Sequence, residues 1–458
     1  MTGPASLNPD HSSAGGDPTH RPTPPLGRRS LLAAAAAAPL AAAVAGTVGA
    51  PTAAAAPSAA DRHPRPGGRP RFTLDAEVLD GGEQVVGVTI DPGRIGPIDP
   101  ASLTTDTFTV HAKAVSPVPV AAGDQIFSEY DLDRTVTAVR VDRSGRIVVA
   151  LAYAEGAIGG GTLGYLLNEG RNVQLDLTYT ITQNAPFRLR NGRKVTLSGF
   201  TQGRLVSPEV DAFGRAVSRS GLNYRLYDPN REHGRGHGHQ GPGRGRRRPL
   251  IVWLHGAGEG GLGDYYTNEP QLRANRGALG FATPEGQRIF GGAYVVAPQS
   301  PTAWFLDGPG YAPRIRSLIA ELVRRYPIDT DRIHVVGCSS GGFMTAYMEY
   351  SYPTLFASGV PICPAIAAPA MTDAQIRVLA STPSWFVHSL DDPTVNPQTT
   401  SIRAHALLPD TSLITLYDHV VRNGYTFNGH WSWIYVARND PATASGQHIW
   451  QWMASHRR

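Results

Sequence analysis

"RIHVVGCSSGGFM", residues 332–344, decides the fold. An apolar run, Ile333 to Gly337, ends in a glycine-flanked serine pair, and "SSGGFMTAYMEYSY" then opens a helix with Phe343, Tyr347 and Tyr350 roughly on one face. Gly337-Cys338-Ser339-Ser340-Gly341 therefore fits G-x-S-x-G in the strand–turn–helix setting that a nucleophile elbow requires. The central serine, Ser339, occupies the strained turn and is the candidate nucleophile. Ser340 opens the helix, where its backbone N–H faces a developing oxyanion with the helix dipole behind it. A glycine-rich strand-to-helix turn can also be purely structural, so the motif gains weight only from partners elsewhere.

Those partners follow in the order Ser, acid, His that a hydrolase of this fold uses. "WFVHSLDDPTVNP" (385–397) ends a buried strand at Leu390 and begins a loop with Asp391 and Asp392. Asp392, three residues before Val395 in a D-x-x-V arrangement, is the candidate acid, and Asp391 is the runner-up or a turn cap. His388 sits inside the strand and reads as a packed or hydrogen-bonding core histidine. "NGYTFNGHWSWIYV" (423–436) supplies His430 on a Gly/Asn-rich loop as the candidate base. A serine hydroxyl is a poor nucleophile without such a base, and the base needs an orienting acid. For the oxyanion hole, "LIVWLHGAGEGG" (250–261) gives a strand followed by His255-Gly256-Ala257-Gly258; Ala257 and Ser340 are the candidate donors, with Gly256 and Gly258 as alternatives to Ala257. His255 is expected to fix that loop by hydrogen bonding. A phosphate-loop reading of the same glycines fails, because no G-K-[ST] follows. Trp304, in "PQSPTAWFLDG" (298–308), is a candidate substrate-binding wall with an equal claim to the core. No metal and no cofactor are called for.

Outward from these motifs the chain divides in rhythm. From 250 onward, short apolar runs ("LIVWL", "AYVVAP", "RIHVVG", "WFVHSL", "LITLYD") alternate with helical stripes such as Ile315, Leu318, Ile319, Leu322 and Val323. That alternation predicts an α/β-hydrolase fold, a mostly parallel sheet with helices on both faces and its site at the strands' carboxyl ends. From Phe72 to about Phe200 the period is two, with turns at Ser144-Gly145 and Asn191-Gly192, which predicts an immunoglobulin-like β-sandwich. The expected domains are a twin-arginine-type signal peptide with a Pro/Ala-rich segment over 1–70, the β-sandwich over 71–206, and the catalytic domain over 207–458.

Composition excludes the obvious rivals. Arg28 and Arg29 precede Ser-Leu-Leu and an alanine-rich run broken by Pro39, as in a twin-arginine export signal rather than a membrane anchor. The expectation is a secreted protein whose mature form has no membrane span, because no later segment approaches about 18 consecutive apolar residues. The net charge of +5 invites a nucleic-acid partner, but "REHGRGHGHQGPGRGRRR" (231–248) alone carries six arginines and one glutamate, which accounts for it. Such a tract reads as a disordered basic surface loop. His233, His237 and His239 lie within it, where flanking guanidinium groups repel a cation. Cys338 and Cys363 can pair in an exported chain, or stay reduced in one that folds before twin-arginine export; the residues leave both open.

"LHGAGEGG", "YVVAPQSPTAW", "YPIDTDRIHVVGCSSGGFM", "YPTLFASGVPIC", "HSLDDPTV" and "GHWSW" together resemble a family of exported α/β-hydrolases. Its members are described as predicted peptidases or polyhydroxybutyrate-depolymerase-like esterases, some with an immunoglobulin-like N-terminal domain. The resemblance covers roughly residues 72–455 and is specific in the catalytic half. It implies Ser339 as nucleophile, Asp392 as acid, His430 as base, oxyanion donors at Ala257 and Ser340, and activity on short to medium acyl esters. Ser340 stands where the family often has asparagine or methionine. The expected function is a secreted serine esterase acting through an acyl-enzyme on a small-molecule or polymeric ester. A peptidase or polyester depolymerase with the same triad is the alternative, and a non-enzymatic surface-binding protein ranks below both. The sequence is silent on oligomeric state.

Overall fold

The computed structural model describes residues 69–230 and 246–458. The export-signal reading of 1–70 and most of the basic-loop reading of 231–248 fall outside the described residues. The end of that loop is corrected: Arg248 opens the strand Arg248–Leu254, its guanidinium donating to Asn230 Oδ1 and to the Gly291 carbonyl.

The period-two pattern of the first region forms two facing sheets. One has five strands in the order Thr201–Val206, Arg71–Leu79, Gly82–Asp91, Ile147–Leu151 and Val136–Val141. The other has Phe108–Val115 between Asp176–Gln183 and Tyr130–Arg134. Inward residues of both, among them Phe72, Leu74, Val88, Ile90, Val110, Val149 and Ile181, make a core of their own, as a two-layer sandwich requires. Both expected turns are present, with Gly145 (φ 83°) and Gly192 (φ 85°) in the left-handed region that glycine tolerates. A short hairpin, Leu163–Leu166 with Arg171–Gln174, pairs with Ile126–Phe127 in a separate three-stranded sheet.

The second region is built on an eight-stranded sheet. Its order is Phe213–Val217, Asn223–Tyr227, Tyr294–Gln299, Arg248–Leu254, Ile328–Cys338, Ser358–Ile362, Ser384–Ser389 and Ser412–Tyr417. Asn223–Tyr227 is antiparallel to both of its neighbours, and the strands from Tyr294–Gln299 onward pair in parallel. Strand Arg248–Leu254 shows why its sequence is continuously apolar: Leu250, Val252 and Leu254 enter one core, Ile251 and Trp253 the other. Helices Gly308–Arg325 and Ser340–Ser351 cover the first face with Ile315, Leu318, Leu322, Met344 and Met348. Helices Gly277–Ala282, Pro284–Phe290, Trp433–Ala437 and Ile449–Ser455 cover the second. This is a mixed-sheet α/β-hydrolase core preceded by an immunoglobulin-like sandwich.

Buried ion pairs join the two regions. Arg273 reaches both oxygens of Glu83 at 2.5 and 2.6 Å and also binds Glu269, which in turn holds Arg225 at 2.9 Å. Arg276 binds Glu209 and the Val78 carbonyl. Asp80 accepts from Arg438 at 2.8 Å. A buried guanidinium is tolerated only where carboxylates and carbonyls satisfy it; Arg273 and Arg225 are held in this way, and Arg276 pairs both terminal nitrogens while its Nε has no partner among the described residues.

Candidate active site

Ser339 follows the central strand Ile328–Cys338 and precedes helix Ser340–Ser351, with φ 56° and ψ −115°. A non-glycine residue there is strained and persists only where its surroundings hold it. Its N–H donates to the Ile362 carbonyl at 2.9 Å, and its own carbonyl accepts from Phe343 at 2.9 Å. The flanking glycines are sterically required. A Cβ on Gly337 would sit 2.5 Å from the Gly341 carbonyl oxygen, and one on Gly341 would overlap the Leu254 carbonyl. The elbow therefore wedges against the end of the neighbouring strand, which leads directly into the His255–Gly258 loop.

Asp392 and His430 meet. His430 Nδ1 lies 2.7 Å from Asp392 Oδ2, and both side chains are buried. The turn Gly429–Trp431 presents the imidazole, with Asn428 capping it by accepting the His430 N–H at 2.9 Å. Asp392 is held on every side: Thr394 and Val395 N–H groups donate to Oδ1 at 2.8 and 2.9 Å, and His388 Nε2 lies 3.0 Å from Oδ2. Burial alone would raise this carboxyl, but hydrogen bonds from His388 and His430 hold it well below the usual carboxylate range. For His430, burial disfavours the imidazolium, yet the neighbouring Cys363 sulfur and the Asp392 carboxylate push its pKa up. Asp391, the rival acid, points away to Ser389 Oγ and His419.

Ser339 and His430 share this rim through Cys363. The Ser339 N–H is bonded to Ile362, and the next residue's thiol donates to the His430 carbonyl at 3.3 Å. Among the described residues, no hydrogen bond joins Ser339 Oγ to the imidazole; such contacts are often loose without substrate. Cys363 has φ 35°, and both cysteines are free and buried. Cys363 Sγ, a carboxylate oxygen of Asp392 and a ring nitrogen of His430 lie within 4.8 Å of one another, a spacing that could hold a metal ion. The His430–Asp392 hydrogen bond already occupies two of those donors.

The candidate oxyanion loop is a short 3-10 turn, Ala257–Glu259. His255 anchors it as expected: Nε2 accepts the Ser300 N–H at 2.9 Å, and Nδ1 therefore carries the proton that goes to the Gly256 carbonyl. Burial pushes the pKa of His255 down to about 3, which keeps it neutral. Glu259 is also buried and pushed up to about 7 by loss of solvent, with Arg171 opposing. That arginine belongs to the β-sandwich region. Its hairpin rests on the loop: Asn172 Nδ2 and Tyr165 Cε2 would lie 2.9 and 3.7 Å from a Cβ on Gly258, and Arg171 Nε donates to the Gly261 carbonyl. Sequence reading missed this wall, whose parts lie about ninety positions apart. Ser340, also buried, accepts the Phe305 N–H on its Oγ at 3.3 Å. The Trp304 expectation is corrected: it is fully buried against His255 and Tyr311 and lines no open surface. Its neighbours Phe305 and Leu306 are the exposed apolar side chains, at 45% and 63%.

Residues 72–196 match the family model described as the esterase Ig-like N-terminal domain. A thermostable esterase of known structure superposes over 84% of this chain and 99% of its own, with a TM-score of 0.67 and 24% identity, which establishes the shared fold. Poly(3-hydroxyalkanoate) depolymerase C of Paucimonas lemoignei is 31% identical over 141 residues, 28% of this chain and 30% of its own. Acetylxylan esterase A of Aspergillus ficuum is 30% identical over 121 residues, 24% of this chain and 35% of its own. The chain thus spans about a third of the length of these curated relatives. Among the described residues, no helix is long and apolar enough to cross a membrane.

Proposed function

We propose that this protein is a serine hydrolase of carboxylic esters, with Ser339 as nucleophile, His430 as base, Asp392 as orienting acid, and Ala257 and Ser340 as oxyanion donors. The observation that carries the reading is the 2.7 Å His430–Asp392 hydrogen bond at the rim where the strained Ser339 elbow emerges. His430 Nδ1 donates to the carboxylate, so Nε2 is left to accept a proton. As Ser339 Oγ bonds to the ester carbon, its proton passes to Nε2. The tetrahedral oxyanion then faces the Ala257 and Ser340 N–H groups. Collapse breaks the bond to the alcohol, which leaves with the proton from Nε2. Water repeats the cycle on the acyl-enzyme and releases the acid.

Phe305 and Leu306 beside the elbow suit a short to medium acyl chain. The matched relatives, a depolymerase of poly(3-hydroxyalkanoate) and acetylxylan esterases, support ester chemistry. Polyester depolymerisation is the second reading, favoured by the first of these matches. In this reading the 1–70 segment directs twin-arginine export from the cell, and 71–206 and 207–458 are the folded domains. The test is hydrolysis of p-nitrophenyl esters of graded acyl length beside polyester films and peptide anilides. Activity on soluble esters, lost in Ser339→Ala with unchanged circular dichroism, is expected. Turnover confined to films would favour the second reading, and turnover confined to anilides would overturn the ester assignment.

A further inference from the structure

His388 lies on strand Ser384–Ser389, fully buried, four residues before the candidate acid. A histidine in a strand between two parallel neighbours is most often a packed side chain with one or two hydrogen bonds. Its partners here are more specific. Nε2 lies 3.0 Å from Asp392 Oδ2 and 3.0 Å from the Val395 carbonyl. A carboxylate and a carbonyl only accept, so Nε2 must carry the proton and share it between them. Nδ1 lies 2.8 Å from Ser401 Oγ at the start of helix Ser401–Leu407, which fixes the ring from its far side. The same oxygen, Asp392 Oδ2, thus receives the N–H of two different imidazoles.

We propose that His388 is a positioning residue for ester hydrolysis: its Nε2–H aligns Asp392 Oδ2 on His430 Nδ1 and withdraws part of that oxygen's basicity from the base. The inference rests on the triad reading above. Physically, a carboxylate oxygen shared by two donors binds each less strongly than it would bind one alone. With His388 in place, Asp392 still orients His430, but stabilises its imidazolium less than a singly bonded carboxylate would. The base therefore loses its proton at a lower pH than it otherwise would, which suits a group that must be neutral to accept the serine proton. His388 also bridges Asp392 to Val395 and Ser401, so the acid loop cannot rotate without breaking three contacts.

The charged and titratable groups around this pair come from several elements. Asp391 adjoins Asp392 but is turned to His419 and Ser389. Cys363, at the end of strand Ser358–Ile362, faces His430. Glu259, on the oxyanion loop, acts on His430 through space. None of these donates to Asp392 Oδ2, so the effect of removing His388 is separable from theirs.

The experiment compares the pH dependence of kcat/KM for p-nitrophenyl acetate in the wild type, His388→Leu and His388→Gln. His388→Leu removes the donor and should move the acid limb upward by on the order of half a unit or more. His388→Gln, whose amide N–H can reach the same oxygen, should return the limb toward the wild type. An unchanged limb in His388→Leu, whatever its kcat, overturns the inference. Nitrogen-15 NMR of histidine-labelled wild type supplies a second readout that needs no variant. The proton of His388 should be found on Nε2, and a proton on Nδ1 alone would refute the arrangement. Ser339→Ala separates the two failures: if it stays active, the triad reading itself falls, whereas an inactive Ser339→Ala with an unmoved His388→Leu limb sinks only the role of His388.

Discussion

Replacing Asp392 by asparagine tests the site at its most connected residue. The carboxylate accepts four hydrogen bonds and donates none: Thr394 and Val395 N–H on Oδ1, His388 and His430 on Oδ2. An asparagine oxygen must stay on the two backbone donors, because an NH2 group there would face two N–H groups at about 3 Å. The amide nitrogen then faces His388 Nε2 and His430 Nδ1, both of which carry hydrogens. His430 can relieve that clash by moving its proton to Nε2, and in that tautomer it cannot accept the Ser339 proton. In a chymotrypsin-type triad the same change of aspartate to asparagine costs about 10⁴ in kcat, and a similar loss of about 10³–10⁴ is expected here. At about 1.36 kcal/mol per decade this is about 4–5.5 kcal/mol of transition-state stabilisation. KM should change little, since Asp392 lies behind the imidazole. The assay is steady-state hydrolysis of p-nitrophenyl acetate, with circular dichroism and urea unfolding to establish that the variant folds. A folded Asp392→Asn enzyme that keeps more than a tenth of wild-type kcat would refute the reasoning.

Four further outcomes follow from the same geometry. Because the pKa of His430 is raised and the base must be neutral, the acid limb of kcat/KM should fall above the ordinary 6.5; a limb at or below that value would contradict the Asp392 and Cys363 contacts. The same shift adds stability that is complete below about pH 6.5 and is lost as pH rises through the folded value, whereas Asp392 contributes above about pH 4 and loses its contribution as pH falls through its depressed value. Glu83→Gln leaves the buried Arg273 with Glu269 alone and should destabilise the protein by about 3 kcal/mol in urea unfolding; a loss under about 1 kcal/mol would show that this pair does not hold the two regions together. Gly341→Ala, whose methyl would overlap the Leu254 carbonyl, should abolish activity or folding; a variant with wild-type turnover and melting would show that the elbow is not wedged as described.

The parts of the site that sequence makes legible are those written locally. The elbow glycines, Asp392 three residues before Val395, and the strand that runs into the elbow each have short-range chemical reasons. Elements whose reasons lie far away were missed. Strand Asn223–Tyr227 carries Arg225 at its centre, a residue buried only because Glu269 and three backbone carbonyls, of Val210, Phe213 and Asn268, satisfy it. In strand Ser358–Ile362, Gly359 has a reason of the same distant kind. The glycine is there because any Cβ would run into the Glu349 carboxyl. Trp304 looked equally fit for wall or core, and the packing of His255 and Tyr311 decided for core. His388 read as a bland core histidine because nothing local shows that its ring reaches the oxygen bound by His430.

The most direct measurement is mass-spectrometric mapping of a fluorophosphonate probe on the folded protein. The account predicts one stoichiometric adduct on Ser339, formed at a rate that collapses in His430→Ala. An adduct on Ser340 would mean that the elbow presents the other hydroxyl, and labelling of Ser339 at an undiminished rate without His430 would contradict the activation of one side chain by the other.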